Sequence, residues 1–223
     1  MIPLRDVIPS RTTPYITTTI IVLNAITWLF EVSLPQDSLN QFIGTYGVVP
    51  AYFSPPTLIT SMFLHGSWMH VIGNMWYLWI FGDNVEDRLG HGRFIVFYLL
   101  CGIAAAIGQI VMDPTSTLPT IGASGAIAGV MGAYFVLYPQ SRVLTLIPLI
   151  IFWEVIELPA YILLGFWFVM QLFSAGAIAV TASSHGSGGV AFAAHVAGFV
   201  VGMAGVFVFK KRETDRWERT DYY

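Results

Sequence analysis

The stretch Gly122-Ala123-Ser124-Gly125-Ala126-Ile127-Ala128-Gly129-Val130-Met131-Gly132 opens a long apolar run and sets one serine among small residues. Small residues spaced four apart let membrane helices approach backbone to backbone, and serine is common there as an interhelical hydrogen-bonding group. A second run gives Ser124 a possible partner. Ala191-Phe192-Ala193-Ala194-His195-Val196-Ala197-Gly198-Phe199-Val200-Val201-Gly202 carries one histidine in the same kind of setting. On a helix Ala191, His195, Gly198, Gly202 and Gly205 fall on one stripe; Ser124, Ala128 and Gly132 form another, with Gly125 and Gly129 beside it. Two such faces packed together would bring Ser124 and His195 within hydrogen-bond reach, around 3 Å, the arrangement of a nucleophile and its base. Ser124 also lies near a helix N-terminus, where unpaired N–H groups and the positive dipole end favour an oxyanion.

Composition places these runs in a bilayer. Apolar types make up 56% of the chain and charged types only 10%, with a mean hydropathy of +0.69. Soluble domains carry roughly 25% charged residues, and so few charges could not cover a soluble surface. The net charge of -3 points to no nucleic-acid partner. Cys101 is the only cysteine, which excludes an internal disulfide. The first apolar run starts after Pro14, is long enough to span and lacks a small-residue cleavage site, so no cleavable signal peptide is expected.

A span needs roughly 20 mostly apolar residues. Six runs meet or approach that length: Tyr15–Leu34, Thr57–Phe81, Arg93–Met112, Gly122–Tyr138, Pro159–Val180 and Gly189–Phe209. Arg5, Arg11, Arg88, Arg93, Arg142, Lys210, Lys211, Arg212, Arg216 and Arg219 then all fall on one side, while Glu31, Asp37 and Asp113 fall on the other. The positive-inside rule makes the basic side cytoplasmic. The expected fold is therefore an all-α bundle of six transmembrane helices with both termini cytoplasmic. Residues 1–14 form an N-terminal segment, 15–209 the membrane domain and 210–223 a basic tail.

Two segments fit less simply. Val143–Phe152 is apolar but short and contains Pro148. A seventh span there would put Lys210-Lys211-Arg212 outside, so it is expected to be a cytoplasmic-side interfacial stretch or the lower end of the fifth helix. Glu154 and Glu157 would then share one helical face in the headgroup region. The 35–56 connection, with Phe42, Ile43, Tyr46, Val48 and Val49, is too apolar for a solvated loop and suits an interfacial element on the outer leaflet.

The second run holds His65-Gly66-Ser67-Trp68-Met69-His70-Val71-Ile72-Gly73-Asn74. His70 and Asn74, four apart, share a helix face. Polar groups inside a span are costly and face the bundle interior or a wet cavity. Both can donate hydrogen bonds, as an oxyanion hole requires; interhelical glue is the structural alternative. His65, near the opposite face, suits packing or an interfacial position; His91, beside Arg93, suits solvated cytoplasm. A zinc protease would want His-Glu-x-x-His, and His65 and His70 are five apart with no glutamate between them. An aspartyl protease needs two carboxylates at one site, and Asp83 and Asp113 belong to opposite surfaces. No acidic residue within a span completes a triad with Ser124 and His195, which leaves a Ser–His dyad without metal or cofactor.

Gly122-Ala123-Ser124-Gly125, Ala194-His195-Val196-Ala197-Gly198 and the His65–Asn74 stretch together resemble the rhomboid family of intramembrane serine proteases, in order and topology, across nearly the whole chain. Glu86-Asp87-Arg88-Leu89-Gly90 with Phe94 resembles that family's cytoplasmic Glu-x3-Gly-x3-Phe signature, which looks structural. The resemblance implies Ser124 as nucleophile and His195 as general base, with His70, Asn74 and the Ser124 backbone N–H as oxyanion donors. It implies transmembrane protein substrates cut near the outer face, preferably at helix-destabilising residues and after a small one. It also implies a movable cap over the site in the Ser183–Gly189 loop, which holds His185. The expected setting is a multi-pass protein of a prokaryotic plasma membrane. Two departures stand out. Some rhomboids carry a tyrosine one turn after the serine, stacked on the catalytic histidine, where this chain has Ala128; many carry a Trp-Arg pair in the first loop, absent here. His195 must be oriented by another group. The rivals are a catalytically silent rhomboid-like protein that binds membrane clients, and a transporter or channel. A transporter would favour broken helices in corresponding halves, and the sequence shows no such symmetry.

Overall fold

The structure is a computed structural model that describes residues 1–148, 153–181 and 191–211, with the helix path alone for 175–181. In chain order the described elements are β1 (Ile2–Asp6), α1 (Tyr15–Ser33), α2 (Gln36–Tyr46), the single turn α3 (Thr57–Thr60), α4 (Trp68–Leu89), α5 (His91–Met112), α6 (Ser124–Leu137), β2 (Arg142–Pro148), β3 (Trp153–Pro159), α7 (Ala160–Thr181) and α8 (Phe192–Phe209). The expected cap at Ser183–Gly189 with His185, and the tail residues Arg212, Arg216 and Arg219, lie outside the described residues.

Helix α6 is the axis of the bundle. Every residue from Gly125 to Tyr134 is buried, and the helix packs on α4, α5, α7 and α8. A helix apolar on all sides belongs in the middle of such a bundle. Its closest neighbour is α8. A Cβ placed on Gly198 would stand 2.1 Å from the carbonyl oxygen of Gly125; on Gly202 it would stand 2.0 Å from that of Gly129. The obstructing atoms are backbone and cannot rotate away, so this seam is closed by the absence of side chains. On the far side of α6, a Cβ on Gly125 would meet the Ala105 Cβ of α5 at 2.4 Å, and one on Gly129 would meet the Cys101 Cβ at the same distance.

Helices α1, α5 and α8 are long and apolar enough to cross a membrane, and α6 and the first part of α7, Ala160–Ser174, are shorter apolar helices. Helix α4 has 22 residues but starts at Trp68 rather than at Thr57. The run from Thr57 breaks over Leu64–Ser67, and at its end the Ser67 hydroxyl accepts the His70 N–H at 3.2 Å and caps the new helix. Its last turns carry Asp83, Glu86, Asp87 and Arg88.

The bundle is not all helix. Val143–Phe152 is not the foot of the fifth helix: its described part is strand β2. Strand β3 pairs antiparallel with β2 from Arg142↔Pro159 to Pro148↔Trp153, and β1 pairs with the other edge of β2, giving the order β1-β2-β3. Burial alternates along β2, with Val143 and Thr145 buried. Glu154 and Glu157 lie on β3, not on a helix. Three apart on a strand they point to opposite faces, and Glu157 meets Arg142 across the ladder at 3.7 Å.

The end of the molecule that holds this sheet is stitched by polar groups. Glu86, fully buried, accepts the N–H groups of Ile16 (2.9 Å) and Thr17 (2.8 Å) and the Thr17 hydroxyl (2.7 Å). It thereby satisfies free donors at the positive end of α1. His91 is not simply solvated: its Nδ1 lies 2.5 Å from Glu86 and its ring stands edge-on to Tyr15. Gly90, at φ +81°, ends α4 and starts α5, and Phe94 is fully buried one turn on. Arg11 and Thr12 donate backbone N–H groups to Asp87, Lys211 donates to the Arg88 and Asp87 carbonyls, and Arg93 reaches the carbonyls of Phe209 and Lys210. At the opposite end, Val48 bridges Thr120 and Ala51 donates to Ser116, so the 35–56 connection with α2 is tied beside the start of α6.

Candidate active site

The site begins with a turn that only glycine can make. Gly122 sits at φ +122°, its N–H donates to the Ser61 carbonyl at 2.9 Å, and a Cβ there would lie 2.7 Å from both Cε1 and Nε2 of His70. The strained φ and the lack of space exclude a side chain for separate reasons. Two residues later Ser124 opens α6. The first N–H groups of a helix have no intrahelical acceptor, so the serine stands beside backbone donors.

Opposite it, α8 supplies His195 one turn from the helix start, bonded back to the Ala191 carbonyl at 3.2 Å. His195 Nε2 lies 2.8 Å from Ser124 Oγ, across 71 residues of sequence. The other ring nitrogen, Nδ1, lies 2.7 Å from Oε1 of Gln171 on α7. The ring is also flanked by Trp167, 5.7 Å between centroids at 38°, and by Phe192, 6.4 Å at 85°. His195 is 8% exposed. A carbonyl oxygen facing Nδ1 requires that nitrogen to carry the proton, which leaves the Nε2 lone pair for the serine hydroxyl.

His70 and Asn74 face the same turn from α4. The Asn74 amide nitrogen is 3.7 Å from the point a Gly122 Cβ would occupy, and His70 Nε2 is 2.7 Å from it. The Gly66 N–H donates to His70 Nδ1 over a long 3.5 Å, which makes Nε2 the protonated nitrogen aimed at the turn. Behind them stands His65, 1% exposed and so not at an interface with lipid or water. Its Nε2 is 3.0 Å from the Asn74 amide nitrogen, its ring stands at 70° to that of His70 with centroids 5.0 Å apart, and its own N–H reaches both carboxylate oxygens of the buried Glu31, at 3.2 and 3.3 Å. Asn74 is therefore held by a neighbour that precedes its helix.

Two residues of this cluster, His65 and Gln171, are not marked as site residues by the sequence motifs. His65 was obscured by helical spacing counted across a run that actually breaks over Leu64–Ser67. Gln171 did carry a signal: it is the one amide side chain in the fifth apolar run, and intramembrane polar residues point inward. Trp167, four residues before it, lies on the same helix face.

Fold and site together define a polytopic membrane protein with a part-buried Ser–His pair at one end of its central helix. The family model described as the rhomboid domain matches residues 53–212; the chain belongs to the rhomboid family, and it is an integral membrane protein. Among its relatives, YdcA of Bacillus subtilis is 35% identical over 122 residues, 53% of this chain and 60% of that protein. The rhomboid protease GluP of the same organism is 39% identical over 85 residues, 38% of this chain and 16% of its own length. A chloroplastic rhomboid-like protein of Arabidopsis thaliana, number 11, is 25% identical over 201 residues, covering 84% of this chain and 66% of that protein. The chain thus spans less than two thirds of the length of these relatives.

Proposed function

We propose that this chain is an intramembrane serine endopeptidase that cleaves transmembrane segments of membrane-protein substrates with a Ser124–His195 dyad. The observation that carries the proposal is the 2.8 Å contact between Ser124 Oγ and His195 Nε2, with hydrogen-bond donors from α4 beside the same turn. Ser124 Oγ attacks the scissile carbonyl while His195 Nε2 takes its proton. The oxyanion that forms is held by the Ser124 N–H, His70 Nε2–H and the Asn74 amide. Collapse releases the amine, which takes the proton from His195, and water then hydrolyses the acyl-serine by the same base. Gly125, Gly129, Gly198 and Gly202 serve this chemistry by letting α6 and α8 touch. No cofactor is needed for any step.

The orientation follows from charge. Arg88, Arg93, Lys210 and Lys211 gather at the end opposite Ser124, with Arg11 bonded to Asp87 and Arg142 on the sheet. The positive-inside rule supports reading that end as cytoplasmic, with six spans, two cytoplasmic termini and a site near the outer face; the proposed setting is a prokaryotic plasma membrane. Reporter fusions at Tyr223 and in the Ser183–Gly189 loop should report inside and outside; the same side for both would end the six-span arrangement.

The activity is tested by reconstituting the full chain in liposomes with a single-span substrate. Ser124→Ala and His195→Ala should each abolish cleavage while the protein inserts and purifies normally. The double variant should be no worse than either single, since groups that act as a unit are not additive. Substantial cleavage by Ser124→Ala would end the serine-protease proposal. A client-binding protein without activity would retain substrate in pull-down and cut nothing in any variant.

A further inference from the structure

The dyad is held by a third side chain. Helix α7 presents Trp167 and Gln171 on one face, four residues apart, toward the start of α8. Ala128, one turn after Ser124, offers His195 no ring to lie on, whereas Trp167 stands 5.7 Å from it and continues to Phe199 at 6.0 Å. That contact limits where the imidazole can tilt but does not choose which nitrogen carries the proton. Gln171 Oε1, 2.7 Å from Nδ1, does.

We propose that Gln171 is the positioning residue of the dyad: its amide oxygen accepts the Nδ1–H of His195 and so presents the Nε2 lone pair to Ser124. This rests on the endopeptidase reading above. The opposite tautomer would place a proton between Nε2 and Oγ and leave His195 unable to act as base. A misplaced tautomer costs a serine protease about 10⁴ in kcat when a triad aspartate is replaced by asparagine. An amide suits the location better than a carboxylate. Within a span an ionised carboxylate carries a large desolvation cost, while a neutral carbonyl oxygen directs the ring without adding a charge. Asparagine serves beside histidine in the same way in cysteine proteases of the Cys-His-Asn type. After proton transfer both ring nitrogens are donors, and Oε1 keeps its hydrogen bond to the imidazolium.

A bond between α7 and α8 also has a bland role as interhelical glue, worth about 0.6 kcal/mol on average. The two roles differ in what they change. In reconstituted full-length protein, Gln171→Leu should lower kcat roughly tenfold to a hundredfold, the range known for partners that orient metal-bound histidines, at unchanged KM and thermal midpoint. Gln171→Glu returns an acceptor at the same reach and should restore most of kcat. It should also move the acid limb of the kcat/KM profile to higher pH, because a carboxylate favours the charged imidazolium and the base must be neutral. Wild-type kcat and pH profile in Gln171→Leu, with only a lowered melting temperature, would overturn the proposal and leave the dyad standing. If Gln171→Leu fails to fold, Gln171→Met, of similar length but without an amide oxygen, takes its place, and wild-type kcat and pH profile in that variant overturn the proposal. Failure of the endopeptidase reading would show instead in the unaltered protein, as no cleavage with Gln171 in place, and would take this proposal with it.

Discussion

The two ends of α6 are held by opposite means. At the Ser124 end the helix is set by backbone: Gly125 and Gly129 meet Gly198 and Gly202 with no side chain between, and the polar groups there line the site rather than fasten the helices. At the other end Tyr134 donates to Asp6 at 2.7 Å and lies 3.0 Å from Ser141, while Asn84 donates to the same Asp6 at 2.8 Å and Ser10 bonds to Asp83. Two other elements are fastened there as well, α1 by Glu86 and the sheet by β1. Small residues hold chemistry in register because a glycine seam has no rotamers to relax. Polar anchors hold architecture because each can be lost without moving the seam. Substitutions at the two ends should therefore separate activity from stability.

Among substitutions that leave the dyad in place, the largest effect belongs to Asn74. Asn74→Ala should lower kcat by roughly 10²–10³, the cost of one oxyanion donor, yet leave residual turnover because His70 and the Ser124 N–H remain. Its melting temperature should be unchanged. A normal kcat with a lowered melting temperature would make Asn74 interhelical glue and take the oxyanion role away.

Gly202→Ala follows. Its Cβ would press on the Gly129 carbonyl, forcing α8 outward with His195. A displacement of about 1 Å can cost 10² in rate, and overpacking costs typically 1–3 kcal/mol. Both kcat and stability should fall together, and full activity in this variant would show that the seam does not set the dyad distance.

Glu86→Gln should act on stability alone. It weakens hydrogen bonds to a charged acceptor, each worth about 1.5–3 kcal/mol, so the melting temperature should drop while kcat of the folded fraction stays at wild type. A kcat loss beyond the unfolded fraction would couple the two ends that the structure keeps apart.

The smallest effect is a pH dependence at Asp6. Burial pushes this carboxyl up to about 7, against the lowering effect of the Tyr134 hydroxyl and with Asp83 adding to the rise. A carboxyl raised in the folded state binds its proton more tightly there than in the unfolded chain, so its contribution is fully present below about 4 and is lost as pH rises through about 7. The melting temperature of the wild type should fall between about pH 4 and pH 7 relative to that of Asp6→Asn and run parallel to it above that range. Curves for the two proteins that run parallel throughout would contradict a buried, proton-holding Asp6.

How much of this the sequence carried also divides between the ends. The glycine and alanine stripes around Ser124 and His195 are periodic at helical spacing, and they imply a close approach whatever else the chain does. The sheet was hidden because Val143–Phe152 is short, apolar and broken by Pro148, so its two-residue alternation was masked by the expectation that apolar runs here are helical. Tertiary contacts decided it: β1, from the N-terminal segment, supplies the second edge. The start of α4 was misplaced for a local reason, the Ser67 cap, and that error hid the proximity of His65 to Asn74. Gln171 was missed for want of a spacing rule, since nothing in one sequence ties a residue on α7 to a ring on α8.

The central claim is that Ser124 is a base-activated nucleophile. The measurement is mass spectrometry of the purified chain after reaction with a fluorophosphonate, with His195→Ala in parallel. The structure predicts one covalent adduct, on the peptide that contains Ser124, absent or greatly slowed in His195→Ala. An unlabelled Ser124 in the folded wild-type protein, or labelling that does not depend on His195, would contradict it.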